Sequence, residues 1–128
     1  MEDLVKRRAD SSLQDHAMNI TIKEQDTVAI VALSDSILYE DIITIRNRLH
    51  DLANNKKPNI VLNMQHVSYI SSMVLVALID IKSILNRQNG DIKLARANDF
   101  VKNLLEITTL NNKIENYESV EDACEAFG

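Results

Sequence analysis

"NIVLNMQHVSYISSMVLVALI", residues 59–79, decides the fold. It opens with "NIVLNM", a short apolar run behind Pro58, the pattern of a buried strand; the proline itself disfavours helix in the residue before it and so closes the preceding segment. "QHVSYI" carries the chain out of that strand and up to two adjacent serines, Ser71 and Ser72. Behind them Met73, Val74, Leu75, Val76, Ala77, Leu78, Ile79, Ile81, Ile84 and Leu85 thin out towards "NRQNG", so that Ser71 or Ser72 opens a helix. Gly90 suits a left-handed cap at its C-terminus. With "DIKLARA" following as another strand, the crossover helix returns the chain to start the next strand in the same direction, which makes the pair parallel.

The alternation continues outward on both sides. Upstream, "NITIKEQ" alternates Ile20 and Ile22 with polar residues and "TVAIVAL" follows across "EQD", a hairpin or two successive strands. "SILYEDIITIRNRLHDLANN" places Ile37, Leu38, Ile42, Ile45, Leu49 and Leu52 near helical spacing. Downstream, "NDFVKNLLEITTL" is a helix capped by Asn98 or Asp99, "NKIENYES" a last short strand, and "SVEDACEAF" a terminal helix opened by Ser119. The predicted order is β-β-α-β-α-β-α-β-α: an α/β domain over residues 19–128, with a mixed, mostly parallel sheet of about four to five strands and helices packed against it. Residues 1–18, charged and without sustained periodicity, are expected to form a tail or short helix.

Composition narrows the function. The 128 residues are 45% hydrophobic and 26% charged with a formal net charge of -5, so one core is expected and no broad basic surface for nucleic acid is indicated. No apolar stretch reaches the length of a membrane span, and a soluble cytoplasmic protein is expected. The two glycines, Gly90 and Gly128, allow no glycine-rich phosphate loop. His16, His50 and His66 lack the close pairing of zinc ligands, and Cys124 is read as a packed or idle thiol without basic neighbours. Neither a metal nor a cofactor is expected. A Ser71 or Ser72 pairing with His66 would lack a third group and an oxyanion site, so catalysis is not expected.

From about Ile20 to Phe127 the sequence resembles the STAS domains of bacterial anti-sigma-factor antagonists. That family has a buried strand, an apolar-aromatic pair and then Asp-Ser-Ser/Thr-Gly-Leu opening a helix; here the same place holds "NIVLNMQHVSYISSMVLVAL". The family's "LTGLDKLF" and acidic-alanine terminal helix are similar to "ITTLNNKIENYESVEDACEAF", residues 107–127. Matched by position, the family's phosphorylatable serine falls on Ser72, its aspartate on Ser71, its next hydroxyl on Met73, its glycine on Val74 and its leucine on Leu75. Asn63 stands where the strand often carries aspartate, and Ser34 where many members have glycine. The resemblance implies a non-enzymatic regulatory module of a bacterial partner-switching pathway. It would bind a switch kinase or anti-sigma-type partner, be phosphorylated on Ser72, with Ser71 the second choice, and be reset by a serine phosphatase. Ser71, Ser72, Met73 and Val74 are the partner-binding candidates, and valine in place of glycine either adds apolar interface or blocks close backbone approach. The alternative is a constitutive scaffold or assembly module, not phosphorylated, for which a homo-oligomer is one form.

Overall fold

Ile20 and Ile22, set between polar neighbours, belong to the first of five strands. The computed structural model describes residues 18–55 and 58–127, so the tail expected over residues 1–18 lies, apart from Met18, outside the described residues. The strands are β1 (Asn19–Gln25), β2 (Val28–Ile37), β3 (Asn59–Ile70), β4 (Asp91–Ala95) and β5 (Asn116–Tyr117). The helices are α1 (Ile42–Asn54), α2 (Ser72–Arg87), α3 (Asp99–Ile107) and α4 (Val120–Glu125), with short 3-10 turns at Tyr39–Asp41 and Leu110–Asn112. This is the order expected from the sequence. The sheet runs β1-β2-β3-β4-β5, with β1 antiparallel to β2 and every other neighbour parallel.

Each parallel crossover moves to the next strand in the same direction, and the right-handed rule then puts α1, α2 and α3 on one face of the sheet. The core follows from this. Ala29, Val31, Leu33, Ile60, Leu62, Met64, Ile92 and Leu94 point into that face and meet Ile45 and Leu49 of α1, Leu75, Leu78 and Leu85 of α2, and Val101 and Leu105 of α3. The intervening residues Val28, Val61 and Ala95 point to the opposite face, where α4 covers them with Ala123. Alternation along the strands thus serves two layers at once, as period two requires.

Three details differ from the sequence expectation. Ile37, read with Leu38 at helical spacing, is the last residue of β2, Leu38 is extended ahead of the Tyr39–Asp41 turn, and α1 begins only at Ile42. β3 does not end at Met64 but continues to Ile70 beside β2, because its ladder absorbs two irregularities, between Ala32 and Ser34 and between Asp35 and Ser36 of β2. Each inserts an extra residue on β3, which breaks the simple alternation and hides the strand from a period-two search. Asp35 takes a left-handed backbone there, at φ 66°.

At the end of α2 the left-handed position is Asn89, at φ 63°, and not Gly90. The Gly90 N–H reaches back to the Leu85 carbonyl at 2.8 Å and the Asn89 N–H to that of Asn86 at 3.2 Å, the paired bonds of a Schellman ending. Glycine is required at 90 for another reason: a Cβ there would lie 2.3 Å from the Pro58 carbonyl oxygen.

Candidate functional site

The two serines occupy the corner where β3 hands over to α2. Ser71 is the N-cap: its backbone is extended, at φ −72° and ψ 143°, and its Oγ accepts the Met73 N–H at 3.3 Å. Its carbonyl accepts the N–H groups of Val74 at 2.9 Å and Leu75 at 3.3 Å, and its own N–H donates to the Ile37 carbonyl at 3.0 Å. The helix start is thereby tied to the end of β2. Three amides that a bound anion would seek at this helix start are already engaged by Ser71, so of the first-turn donors only the Ser72 amide is not taken by it.

Ser72 is the first helical residue and is exposed, while Ser71 is half-buried. Met73 is also exposed, at 51%. Val74 corrects the sequence expectation: it is 1% exposed and belongs to the core, so its side chain offers nothing to a partner. The cause is helical rotation, about 100° per residue, which turns Met73 outward and its neighbour onto the sheet. A valine in the family's glycine position therefore neither extends the surface nor blocks it.

Further apolar groups flank the corner. On the α3 side, Tyr69 and Phe100 are both exposed, with ring centroids 5.3 Å apart and planes tilted by 34°. Asn98 positions Phe100: its Oδ1 accepts the Val101 N–H at 2.9 Å as the cap of α3, and its Nδ2 donates to the Val67 carbonyl of β3 at 3.0 Å. On the α1 side, a groove of about 390 Å³ runs between the two helices, with Tyr39, Ile43 and Arg46 on one wall and Met73, Val76 and Asp80 on the other. Val76 had a readable signal. Asp80, Ser83 and Arg87 mark the outer stripe of α2, and stepping back by three or four residues from Asp80 reaches Val76 and then Met73.

His66 lies on β3 opposite Ser34, and among the described residues no hydrogen bond joins it to Ser71 or Ser72. Ser36 and Ser68 face each other at 3.4 Å between their Oγ atoms along the same sheet edge. Cys124 is half-buried; burial, with Glu121 and Glu125 beside it, raises its thiol pKa and keeps it protonated.

A charged cluster lies elsewhere, at the opposite end of β4. Lys93 is only 6% exposed and its ammonium meets Glu115 at 2.7 Å and Asp91 at 3.8 Å, with the rings of Tyr117 and Phe127 at 5.4 and 5.3 Å. Burial opposes the Lys93 charge, but the hydrogen bonds with Glu115 and Tyr117 outweigh it and raise the pKa. Burial likewise opposes ionisation of Asp91, and hydrogen bonds from Lys82, the Ile92 N–H and Asn86 reverse it, lowering the pKa. Every charge in the cluster has a partner, which marks it as structural.

The STAS domain family model matches residues 19–123. The chain belongs to the STAS domain family. No curated protein matches it. Among solved structures, this STAS domain is similar to a putative anti-sigma factor antagonist from Thermotoga maritima, with 22% identity, a TM-score of 0.77, and 84% of this chain and 93% of that chain covered. It is similar to the Bacillus anti-sigma factor antagonist SpoIIAA in its unphosphorylated form, with 13% identity, a TM-score of 0.72, and 84% and 95% covered. It is also similar to part of the murine Slc26a9 anion transporter, with 18% identity and a TM-score of 0.67, covering 82% of this chain but 18% of the transporter. At these identities the likeness is one of fold. Among the described residues no helix is long and apolar enough to cross a membrane.

Proposed function

We propose that this STAS domain is the non-enzymatic, protein-binding member of a cytoplasmic partner-switching pathway, and that Ser72 is its switch. It binds a switch kinase or anti-sigma-type partner through the corner formed by Ser71, Ser72 and Met73, and phosphorylation of Ser72 releases that partner until a serine phosphatase resets it. The observation that carries this reading is the division of labour between the serines. Ser71 spends its oxygens on capping, whereas Ser72 presents an exposed hydroxyl one residue further on, beside exposed Met73.

The energetics suit a switch. A phosphoserine carries about -1.5 to -2 charge, and at a helix start the macrodipole favours it, so the domain stays folded. Burying that charge against an apolar or acidic partner costs several kcal/mol unless basic groups meet it. A penalty of roughly 3 to 4 kcal/mol weakens binding some hundredfold or more.

Mass spectrometry after incubation with the cognate kinase should find phosphate on Ser72, and Ser72→Ala should lose it while still binding the partner. Ser72→Asp should bind weakly. Equal partner binding by wild type, Ser72→Ala and Ser72→Asp would remove the switch. The second reading, a constitutive scaffold, is favoured by one feature: Ser71 replaces the family's aspartate directly before the acceptor. Failure of phosphate uptake, with an assembly seen by light scattering, would move the conclusion there.

A further inference from the structure

We infer that the groove between α1 and α2 seats a second copy of this chain, related by a two-fold axis running along the groove. The inference does not depend on phosphorylation of Ser72, but Met73 belongs both to the groove wall and to the proposed partner corner, so the second copy and the partner would share that residue. Its basis is the register of the two walls. Ile37 and Ile70 are paired at the ends of β2 and β3, and the Ser71 N–H holds the Ile37 carbonyl at 3.0 Å, so both connections leave the sheet at one level. Both helices cross between parallel strands and therefore run in the same direction. Counted from that level, Ile43 and Val76 each stand six residues on, and Arg46 and Asp80 stand nine and ten residues on.

The groove therefore has matched rungs: Ile43 facing Val76 and, further along, Arg46 on one wall and Asp80 on the other, with Glu40 at the near end of the Arg46 wall. Ile43 and Val76 are 68% and 42% exposed. Among the described residues neither Arg46 nor Asp80 belongs to an ion pair. At the level of Arg46 and Asp80, a partner with a face of one sign would satisfy one wall and repel the other. A second copy turned about an axis along the groove lays its α1 over this α2, so that Ile43 meets Val76 and Arg46 meets Asp80, each contact made twice, as an isologous interface requires.

Analytical ultracentrifugation of the full chain over a dilution series tests this. The wild type is expected to show a reversible monomer–dimer equilibrium. Arg46→Asp and Asp80→Arg, each checked for wild-type circular dichroism, should weaken the dimer about tenfold or more by setting like charges opposite one another. The double variant Arg46→Asp/Asp80→Arg re-pairs the charges and should restore most of the loss. A wild type that stays monomeric throughout, a dimer indifferent to both reversals, or a double variant no tighter than the singles would each overturn the inference. So would a monomeric wild type whose binding to an anti-sigma-type partner is lost in Val76→Asp, which would give the groove to a different protein.

Discussion

At the scale of single residues, two neighbouring serines of identical chemistry carry different duties, and stability separates them. Ser71 closes the helix with its Oγ on the Met73 N–H and its carbonyl on the next two amides, and only the first of these depends on the side chain. Ser71→Ala should therefore lower the unfolding free energy by about 1 kcal/mol, the usual cost of losing an N-cap. Ser72 makes no such contact, and Ser72→Ala should stay within about 0.5 kcal/mol of wild type, as exposed substitutions do. Urea titrations of both variants check the pair; a larger loss at Ser72 than at Ser71 would show that the roles are reversed. Val74 shows where reading the neighbourhood from motif alone fails. Position in a family signature groups it with Met73, but side-chain direction on a helix is set by rotation about the axis, and the apolar run gave both residues the same appearance.

At the scale of elements, what was legible in the sequence is what periodicity and end chemistry control. The helix of residues 72–87 was visible from its serine start and its Asn-Gly stop, and so were the caps at Asn98 and Ser119, each with its side-chain oxygen on a first-turn amide. The last six residues of β3 were not, because two extra residues in its ladder with β2 destroy alternation, and a bulge depends on the partner strand. The glycine at 90 was assigned to the right element for the wrong reason. Its backbone needs no left-handed turn; Pro58, distant in sequence, packs where a Cβ would stand. Gly90→Ala should thus destabilise by about 1–3 kcal/mol through overpacking, although alanine is elsewhere the better residue. Asn89→Gly, which keeps the left-handed cap, should be nearly neutral by the same denaturant assay. The cluster around β4 gives a pH signature. Asp91 has its pKa lowered from 3.8, so its contribution is complete above that value and disappears as pH falls through the lower folded value. Lys93 has its pKa raised from 10.5, so its contribution is complete below that value and disappears as pH climbs through the higher folded one. Asp91→Asn should flatten the fall in stability on the acid side and leave the alkaline limb in place. An unchanged acid limb in urea melts would sink that assignment.

At the scale of the whole molecule, the sheet is covered unequally. Three helices and most of the core lie on one face, while the other depends on α4, a six-residue helix, whose Ala123 rests on Val28, Val61 and Ala95. The serine corner belongs to the first face: α2 starts from the edge where β2 and β3 end, and its buried side, from Val74 to Leu85, is held by the larger core. These two layers share only the strands between them, so a defect beneath α4 should open that helix locally before it reaches the serine corner. Ala123→Asp tests this division. Ala123 is fully buried, and an unpaired carboxylate among Val28, Val61 and Ala95 costs several kcal/mol if α4 stays docked. Undocking six residues relieves that charge at a smaller loss than global unfolding, which for a domain of this size takes about 5–15 kcal/mol. The expected outcome is fast hydrogen exchange confined to Val120–Glu125 and the β5 end, with amides of α2, the Ser72 end included, still protected. Exchange that rises equally across α2 would show one cooperative unit, and the small rear layer would then be part of what holds the serine corner in place.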